Sequence, residues 1–162
     1  MIRWFLAVLL PSLIGCQTTV SAPDKIPEYK PNMTLNQYER WNTLVGKWYG
    51  EQQTNNGGIM KWIVERNNDA SSQITFRSYD QNGSFTESVE VGKWAISGPI
   101  YFTSLSAYVD LDGTTQKVDP SDPYNYDAYQ IIELNTLSFT YKHIEGGHTF
   151  SVKKVPDWFD FK

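Results

Sequence analysis

The chain has 162 residues, one cysteine and a formal net charge of −4, and 15% of its residues are aromatic. This length fits a single domain with one core. One cysteine excludes a disulfide framework and a zinc cluster built from cysteines. The excess of acidic residues, 18 against 14 basic ones, argues against nucleic-acid binding, because contacts with phosphates need a basic face.

The N-terminus has the pattern of an export signal. Arg3 precedes an apolar run that is too short to span a bilayer but has the length of a signal-peptide core. The Leu-Ile-Gly-Cys sequence ending at Cys16 closely resembles the bacterial lipobox, whose cysteine is lipidated and exposed by cleavage. We therefore expect a signal peptide over residues 1–15 and a lipid on Cys16. A plain secretory signal or a short membrane anchor is the alternative.

The lipobox resemblance also implies a location. Several acyl chains on Cys16 would bind the protein to outer-membrane lipid almost permanently. By the sorting rules of such lipoproteins, Gln17 implies the outer membrane, with the protein facing the periplasm. Residues 16–33 contain three prolines spaced by four residues, which favours an extended tether rather than a helix. The folded domain is then expected over residues 34–162.

One short helix is predicted at the start of this domain, over residues 35–44. Residues 34–37 have the spacing of a capping box that begins at Thr34. Apolar residues follow at helical intervals, at Leu35, Tyr38, Trp41 and Leu44.

The rest of the domain is predicted to be all-β. Val, Ile, Thr and aromatic residues far outnumber Ala and Leu, which favours strands. Nearly all the intervening turns are short, so consecutive strands should be antiparallel neighbours that close into an eight-stranded up-and-down barrel. The predicted strands cover residues 46–53, 59–66, 73–79, 84–96, 100–109, 127–134, 137–143 and 148–155.

The last predicted hairpin specifies which residues face each other. Apolar and polar residues alternate along both of its strands. A tight turn centred on Gly146 and Gly147 would pair His143 with Phe150 and Tyr141 with Val152. Both apolar sets then lie on one face of the hairpin.

Short motifs carry a family resemblance. Gly46-Lys47-Trp48, at the first strand after a short helix, resembles the G-x-W motif of lipocalins and the wider calycin group. Gly92-Lys93-Trp94 and the closing pattern from Tyr129 to Val155 resemble small bacterial lipocalin-like lipoproteins. The resemblance implies a lipocalin-like barrel that binds a small hydrophobic ligand. The chain departs from lipocalins in having no second lipocalin motif, no disulfide and no arginine near the end of the last strand.

Strand direction assigns the loops to two ends of the barrel. Trp48, Trp94 and the helix would plug one end and close it. Lys154 would then cover Trp48 as a cation–π lid, in place of the basic residue of lipocalins; a solvated Lys154 is the alternative. Ligands enter small barrels at the open mouth, which we expect at the other end.

A long acidic loop, residues 110–126, lies at the predicted mouth. Its first acidic residues resemble a fragment of a calcium loop, but the later ligand positions hold Thr114 and Gln116. A solvated loop is therefore preferred to a calcium site. The acidic residues are Asp110, Asp112, Asp119 and Asp122, with Tyr124, Tyr126 and Tyr129 beside them.

Two histidines form a second feature of the mouth. His143 and His148 share a face near Glu145, and two imidazoles with a carboxylate can hold zinc or iron. A polar hairpin tip without metal is the preferred interpretation, so we expect neither a metal nor a cofactor.

Aromatic side chains form the third feature. Several alternate along strands in a way that directs some of them inward, where they either line an apolar pocket or fill the core. The candidate ligand-binding residues are Trp62, Phe76, Phe85, Tyr101, Tyr124, Tyr126, Tyr141, His143 and His148.

The preferred function is therefore that of a membrane-tethered protein that binds a small hydrophobic ligand. The alternative is an envelope interaction protein, such as an assembly factor, an inhibitor or an immunity lipoprotein, that uses its rim loops to bind another protein. An enzyme ranks third, because the chain has no G-x-S-x-G elbow, no H-E-x-x-H motif and no phosphate-binding glycine loop.

Overall fold

A computed structural model describes residues 36–161 of the chain. The predicted signal peptide, the lipidation site Cys16 and the tether lie outside the described residues. Within that range, no helix is long and apolar enough to cross a membrane. The elements are helix α1 (Gln37–Leu44), strands β1 (Gly46–Gln53), β2 (Ile59–Arg66), β3 (Ser71–Tyr79), β4 (Phe85–Ser97), β5 (Ile100–Val109) and β6 (Thr115–Lys117), a 3-10 turn (Pro123–Asn125), and strands β7 (Tyr126–Leu134), β8 (Ser138–His143) and β9 (Thr149–Val155).

Helix α1 begins two residues later than predicted, at Gln37. The side chain of Asn36 accepts hydrogen bonds from the backbone of Tyr38 and Glu39, and the Glu39 carboxylate accepts from the Asn36 N–H at 2.9 Å. This reciprocal pair satisfies two backbone donors that the helix leaves free. The cap is therefore Asn36 and not Thr34, which lies outside the described residues.

The strands form a closed antiparallel barrel. Their order is β4-β3-β2-β1-β9-β8-β7-β5, and pairing of β4 with β5 joins the two ends of this series. The predicted eight-stranded up-and-down barrel is thus confirmed. One short strand was not predicted: β6 lies in the long loop and pairs with the end of β5.

Two irregularities change which residues point inward. The pairing of β4 with β5 shifts between Val91 and Gly92, and that of β7 with β8 shifts between Ile131 and Glu133. At Gly92 the backbones come so close that a Cβ would lie 1.9 Å from the Ser104 carbonyl oxygen. Such bulges bend the strand and reverse its alternation of inward and outward side chains.

The predicted pairing of the last hairpin is wrong by two residues. Tyr141 faces Phe150, and Phe139 faces Val152. The reason is the length of the turn, because His143 and His148 pair through a backbone hydrogen bond of 2.8 Å and enclose a four-residue loop. A shift of two residues preserves the face of every side chain, so the predicted apolar face is retained.

Candidate functional site: the barrel interior

The closed end of the barrel is filled by tryptophans. Trp48 is fully buried, and its indole N–H donates to the carbonyl of Leu44 at 2.8 Å, at the end of helix α1. Trp41 of the helix stacks on Trp94 with a centroid separation of 4.2 Å. The Gln37 side chain also bonds to the β4–β5 end of the barrel, where its oxygen accepts from the Gly98 N–H. The helix is therefore fixed across this end.

Lys154 forms the lid that alternation along β9 predicted. Its ammonium lies 4.9 Å from the centroid of the Trp48 ring, and Lys154 pairs with Trp48 across the β1–β9 ladder. The same ammonium donates to the carbonyls of Thr43 and Val45, next to the C-terminus of helix α1, where a positive charge is favourable. Burial, and then the charge of Arg66, lower the pKa of Lys154.

Three features define the architecture. The barrel is closed and has eight strands, and its first strand carries the G-x-W tryptophan after a short helix. A basic residue of the last strand covers this tryptophan. The fold is lipocalin-like.

The lipocalin-like barrel contains a cavity of about 380 Å³. This volume lies within the range of small-molecule sites, roughly 300–1,000 Å³. The cavity opens at the end opposite the helix, where Tyr108 and Tyr124 lie at its mouth. Its apolar lining residues include Met60, Trp62, Val64, Ile74, Phe76, Leu105 and Phe150.

One wall of the cavity is a packed column of aromatic rings on β5, β7, β8 and β9. Tyr141 stacks on Phe139 at 4.5 Å and on Phe150 at 5.5 Å, and the edge of Tyr101 meets Tyr141 at 5.5 Å. Burial raises the pKa of the Tyr141 hydroxyl, an effect that the nearby charge of Arg66 partly opposes. The hydroxyl stays protonated near neutral pH, so this wall is polar in places but uncharged.

Arg66 lies at the floor of the cavity, towards the closed end. It is only 1% exposed, and its Nε donates to the Tyr101 hydroxyl at 3.0 Å. The guanidinium carbon lies 4.9 Å from the Tyr101 ring centroid and 5.6 Å from that of Phe139. A positive charge therefore lies buried beneath the floor, against the faces of these two aromatic rings.

The mouth carries charge of the opposite sign. Glu90 and Asp127 both line the cavity. Glu90 pairs with Tyr108 across β4 and β5, and Asp127 contacts His143, at the end of β8 next to the mouth. Burial, and then the charge of Asp127, raise the pKa of Glu90. The cavity therefore has a positive floor and an acidic opening.

The structure brings five of the predicted ligand-binding residues together around the cavity: Trp62, Phe76, Tyr101, Tyr124 and Tyr141. Phe85 is not among them, and its placement in the interior is wrong. It pairs with Tyr79 on the outer face of the barrel, is 49% exposed, and lies under the guanidinium of Arg77. The reason is that side chains alternate between the two faces of β4. Glu90 and Trp94 point inward, and Phe85 lies an odd number of residues away from both, so it points outward.

Tyr126, His143 and His148 lie at the mouth but do not line the cavity. The Tyr126 hydroxyl donates to the Pro120 carbonyl at 2.8 Å, within its own loop. His143 has both ring nitrogens engaged, since Nδ1 accepts from the Gly146 N–H at 2.7 Å and Nε2 lies 3.0 Å from Asp127. These contacts make His143 part of the hairpin tip rather than a free ligand for a metal or a small molecule.

The acidic loop has local roles for its carboxylates. Asp112 accepts from the Thr114 N–H, Asp119 from the Ser121 N–H, and Asp122 from the Tyr124 N–H, each at 2.9–3.0 Å. Asp110 accepts from the Gln116 side chain. Turns of this kind satisfy the backbone of a surface loop. Among residues 36–161, no group of three His, Cys, Asp or Glu side chains is arranged to hold a metal ion.

Most of the residues that line the cavity were not predicted as ligand-binding, and Arg66, Glu90 and Tyr108 show why. Arg66 lies on the same face of β2 as Trp62 and Val64, because the three residues are two positions apart. Alternation along the strand therefore predicts that its side chain points into the barrel. Glu90 likewise shares the alternation of Trp94. Tyr108 had no such signal, because the bulge opposite Gly92 reverses the alternation along the second half of β5.

Comparisons with known proteins add one structural likeness. No protein-family model matches the chain, and no curated protein matches it in sequence. Among solved structures, the chain is similar to a lipocalin-like protein from Bacteroides uniformis, with 15% identity and a TM-score of 0.43. The match covers 70% of this chain and 99% of that one.

Proposed function

We propose that this protein binds a small hydrophobic ligand inside its lipocalin-like barrel and performs no catalysis. The observation that carries the proposal is the cavity of about 380 Å³ with a mainly apolar and aromatic lining. A core that served stability alone would be packed without such a void, since each void costs contacts between side chains. The single open mouth gives a ligand a path to the interior.

We further propose that the protein is attached to the outer membrane through a lipid on Cys16 and faces the periplasm. The support is the lipobox resemblance at residues 13–16 and the proline-containing segment that follows. Incorporation of labelled palmitate in a bacterial host, compared between the natural chain and Cys16→Ala, tests this. Equal labelling of both, or recovery of the natural chain in the soluble periplasmic fraction, would refute it.

The binding proposal is tested by filling the cavity. Ile74 lines the cavity on β3, and Gln73, its exposed neighbour, points outward from the same strand. We expect Ile74→Trp to lower affinity for the neutral probe N-phenyl-1-naphthylamine at least tenfold. Gln73→Trp adds the same side chain outside the barrel and should bind like the natural protein. A natural protein that fails to enhance the fluorescence of this probe would overturn the proposal.

A second candidate is an envelope protein that binds a partner through its rim. It is favoured by two large apolar side chains of the long loop that point into solvent: Leu111 is 87% exposed and Tyr124 is 90% exposed. Exposed apolar residues at a rim are typical of contact sites. Replacing both by serine should abolish capture of a specific envelope protein, whereas Ile74→Trp should not. Loss of capture with Ile74→Trp alone would refute this alternative.

A further inference from the structure

Glu90 is a partly buried carboxylate without a counter-charge. Its side chain lines the cavity, and among residues 36–161 it has neither a hydrogen bond nor an ion pair. Burial, and then the charge of Asp127, raise its pKa. A carboxylate that is withdrawn from water without a partner is unfavourable in its charged form. A cation inside the cavity would remove this cost.

Asp127 adds a second negative charge to the cavity lining. Its carboxylate lies 3.0 Å from Nε2 of His143. Nδ1 of that ring accepts a hydrogen bond from the Gly146 N–H, so the ring carries its proton on Nε2 and is neutral. His143 therefore gives Asp127 a hydrogen bond but no positive charge. Among the described lining residues the one cation is Arg66, which lies buried beneath the floor.

Tyrosine rings lie beside both carboxylates. Tyr108 is directly opposite Glu90 across β4 and β5, a position at which side chains are close neighbours. Tyr129 is two residues from Asp127 on β7, and both side chains line the cavity. The face of a tyrosine ring attracts a cation, and this attraction does not depend on a carboxylate. The cavity therefore offers two independent kinds of group that recognise a positive charge.

We propose that the cavity binds a small organic amine, whose ammonium group contacts Glu90 and Asp127 and whose apolar part packs against Trp62. This inference rests on the proposed ligand-binding function and specifies the class of ligand. The ammonium would donate hydrogen bonds to the two carboxylates. Such bonds between charged groups are shorter and stronger than those between neutral groups.

The charges of the lining specify the direction of the ligand. Arg66 lies towards the closed end and repels an ammonium group from the floor. Glu90 and Asp127 attract the same group towards the mouth. The apolar part of the ligand then lies deeper, among the aromatic and aliphatic side chains of the cavity wall. A carboxylate ligand is disfavoured at the position of the ammonium, because like charges repel.

The volume of the cavity limits the size of the amine. About 380 Å³ equals the space of about a dozen water molecules, at roughly 30 Å³ each in the liquid. An amine with a similar number of heavy atoms, such as 4-phenylbutylamine, fits this space. A phospholipid whose headgroup carries an ammonium has several times as many heavy atoms, so a small free amine is the better match.

Calorimetric titration with three ligands that share one apolar part tests the inference. The protein is the chain from position 16 onward with Cys16→Ser, so that no attached acyl chain competes for the cavity. At neutral pH 4-phenylbutylamine is a cation, and we expect it to bind at least about tenfold more tightly than the uncharged 4-phenyl-1-butanol. The anion 4-phenylbutanoate should bind more weakly than both.

Two variants of strand β4 make the result specific. Glu90→Gln keeps the shape of the side chain and removes its charge. It should weaken binding of 4-phenylbutylamine by about 10- to 100-fold, the worth of one hydrogen bond to a charged group, and change the affinity for 4-phenyl-1-butanol less than about threefold. Glu87→Gln is the matched control. It removes a negative charge from the outer face, where Glu87 pairs with Arg77, and should leave all three affinities unchanged.

The outcomes separate this inference from the binding function. Equal affinities for 4-phenylbutylamine and 4-phenyl-1-butanol, tighter binding of 4-phenylbutanoate, or an amine affinity that Glu90→Gln does not lower would overturn the inference alone. If none of the three ligands binds but N-phenyl-1-naphthylamine does, the inference fails and the binding function stands. If that probe does not bind either, both proposals fail. Should Glu90→Gln show no cooperative thermal transition, the order of the three affinities in the natural protein decides.

Discussion

The indole of Trp62 occupies the space that a side chain at Gly50 would need. The two residues face each other across β1 and β2, and a Cβ at position 50 would lie 2.3 Å from Cζ2 of Trp62. Glycine therefore lets the ring lie against the β1 backbone, and the ring thereby becomes part of the cavity wall instead of crossing the cavity.

Gly50→Ala should displace this ring towards the cavity. We expect a loss of about 1–3 kcal/mol in the free energy of unfolding, the usual cost of overpacking a core, and weaker binding of N-phenyl-1-naphthylamine. Urea denaturation and probe titration measure the two effects. Gln53→Ala, at the exposed end of the same strand, is the control. An unchanged stability in Gly50→Ala would show that Trp62 can move without cost.

The contact between the helix and the barrel gives a second prediction. Trp41 stacks on Trp94, and its indole N–H donates to the Asn68 side chain at 3.0 Å. We expect Trp41→Ala to lower the free energy of unfolding by about 2–3 kcal/mol, below the cost of a fully buried tryptophan because Trp41 is only half-buried. Tyr38→Ala, on the exposed face of the helix, should cost less than about 0.5 kcal/mol. Equal losses would contradict this role of the Trp41 ring.

Lys154 gives a third prediction. Lys154→Met leaves the carbonyls of Thr43 and Val45 without their shared donor, and an unsatisfied carbonyl costs about 1–3 kcal/mol. Burial of the ammonium offsets part of this loss, so we expect a net decrease of about 1–2 kcal/mol in chemical denaturation. Lys153→Met, on the outer face of the same strand, should have almost no effect. A more stable Lys154→Met would show that the cost of burying the charge exceeds the value of its bonds.

Glu90 gives a prediction that depends on pH. Its pKa in the folded protein is raised above the ordinary value of 4.5, so the folded state favours the protonated carboxyl. The stabilisation is complete below the unfolded pKa and is lost as the pH rises through the folded pKa. Glu90→Gln should therefore melt at a higher temperature than the natural protein at pH 7, by a few degrees at most, because about 1 kcal/mol corresponds to roughly 4 °C.

The same difference should disappear in acid. Near pH 4 both side chains are neutral, and the melting temperatures of Glu90→Gln and the natural protein should converge. Asp127 and Arg66 are the charged groups that line the cavity with Glu90, and neither is altered in this comparison. A difference that is constant from pH 4 to pH 7 would show that the effect comes from packing and not from ionisation.

The barrel was predictable because its signals are local. Alternation along each strand and the turn residues between strands predict the first and last residues of β1, β2 and β5, and the structure has the same bounds. The helix position followed from Trp41 and Leu44. The start of the helix did not follow in the same way. Asn36 and Glu39 have the same capping-box spacing as Thr34 and Gln37, and spacing alone does not rank the two pairs.

The interior was predictable only where alternation is unbroken. Trp62, Phe76 and Tyr101 could be placed inside from the alternation along their strands, and Arg66 satisfies the same rule. Tyr108 could not be placed, since a bulge is a property of two strands together and leaves little trace in either one. The cavity itself depends on how side chains from eight strands fill a shared volume, which a linear pattern does not specify.

The position of Trp62 has a practical consequence. Of the tryptophans in residues 36–161, it alone lines the cavity, whereas Trp41, Trp48 and Trp94 are at the closed end and Trp158 is 84% exposed in solvent. A molecule that enters the cavity therefore lies close to this one indole, whereas the other tryptophans do not line the cavity. Occupancy of the cavity can thus be followed by the intrinsic fluorescence of Trp62, without any added label.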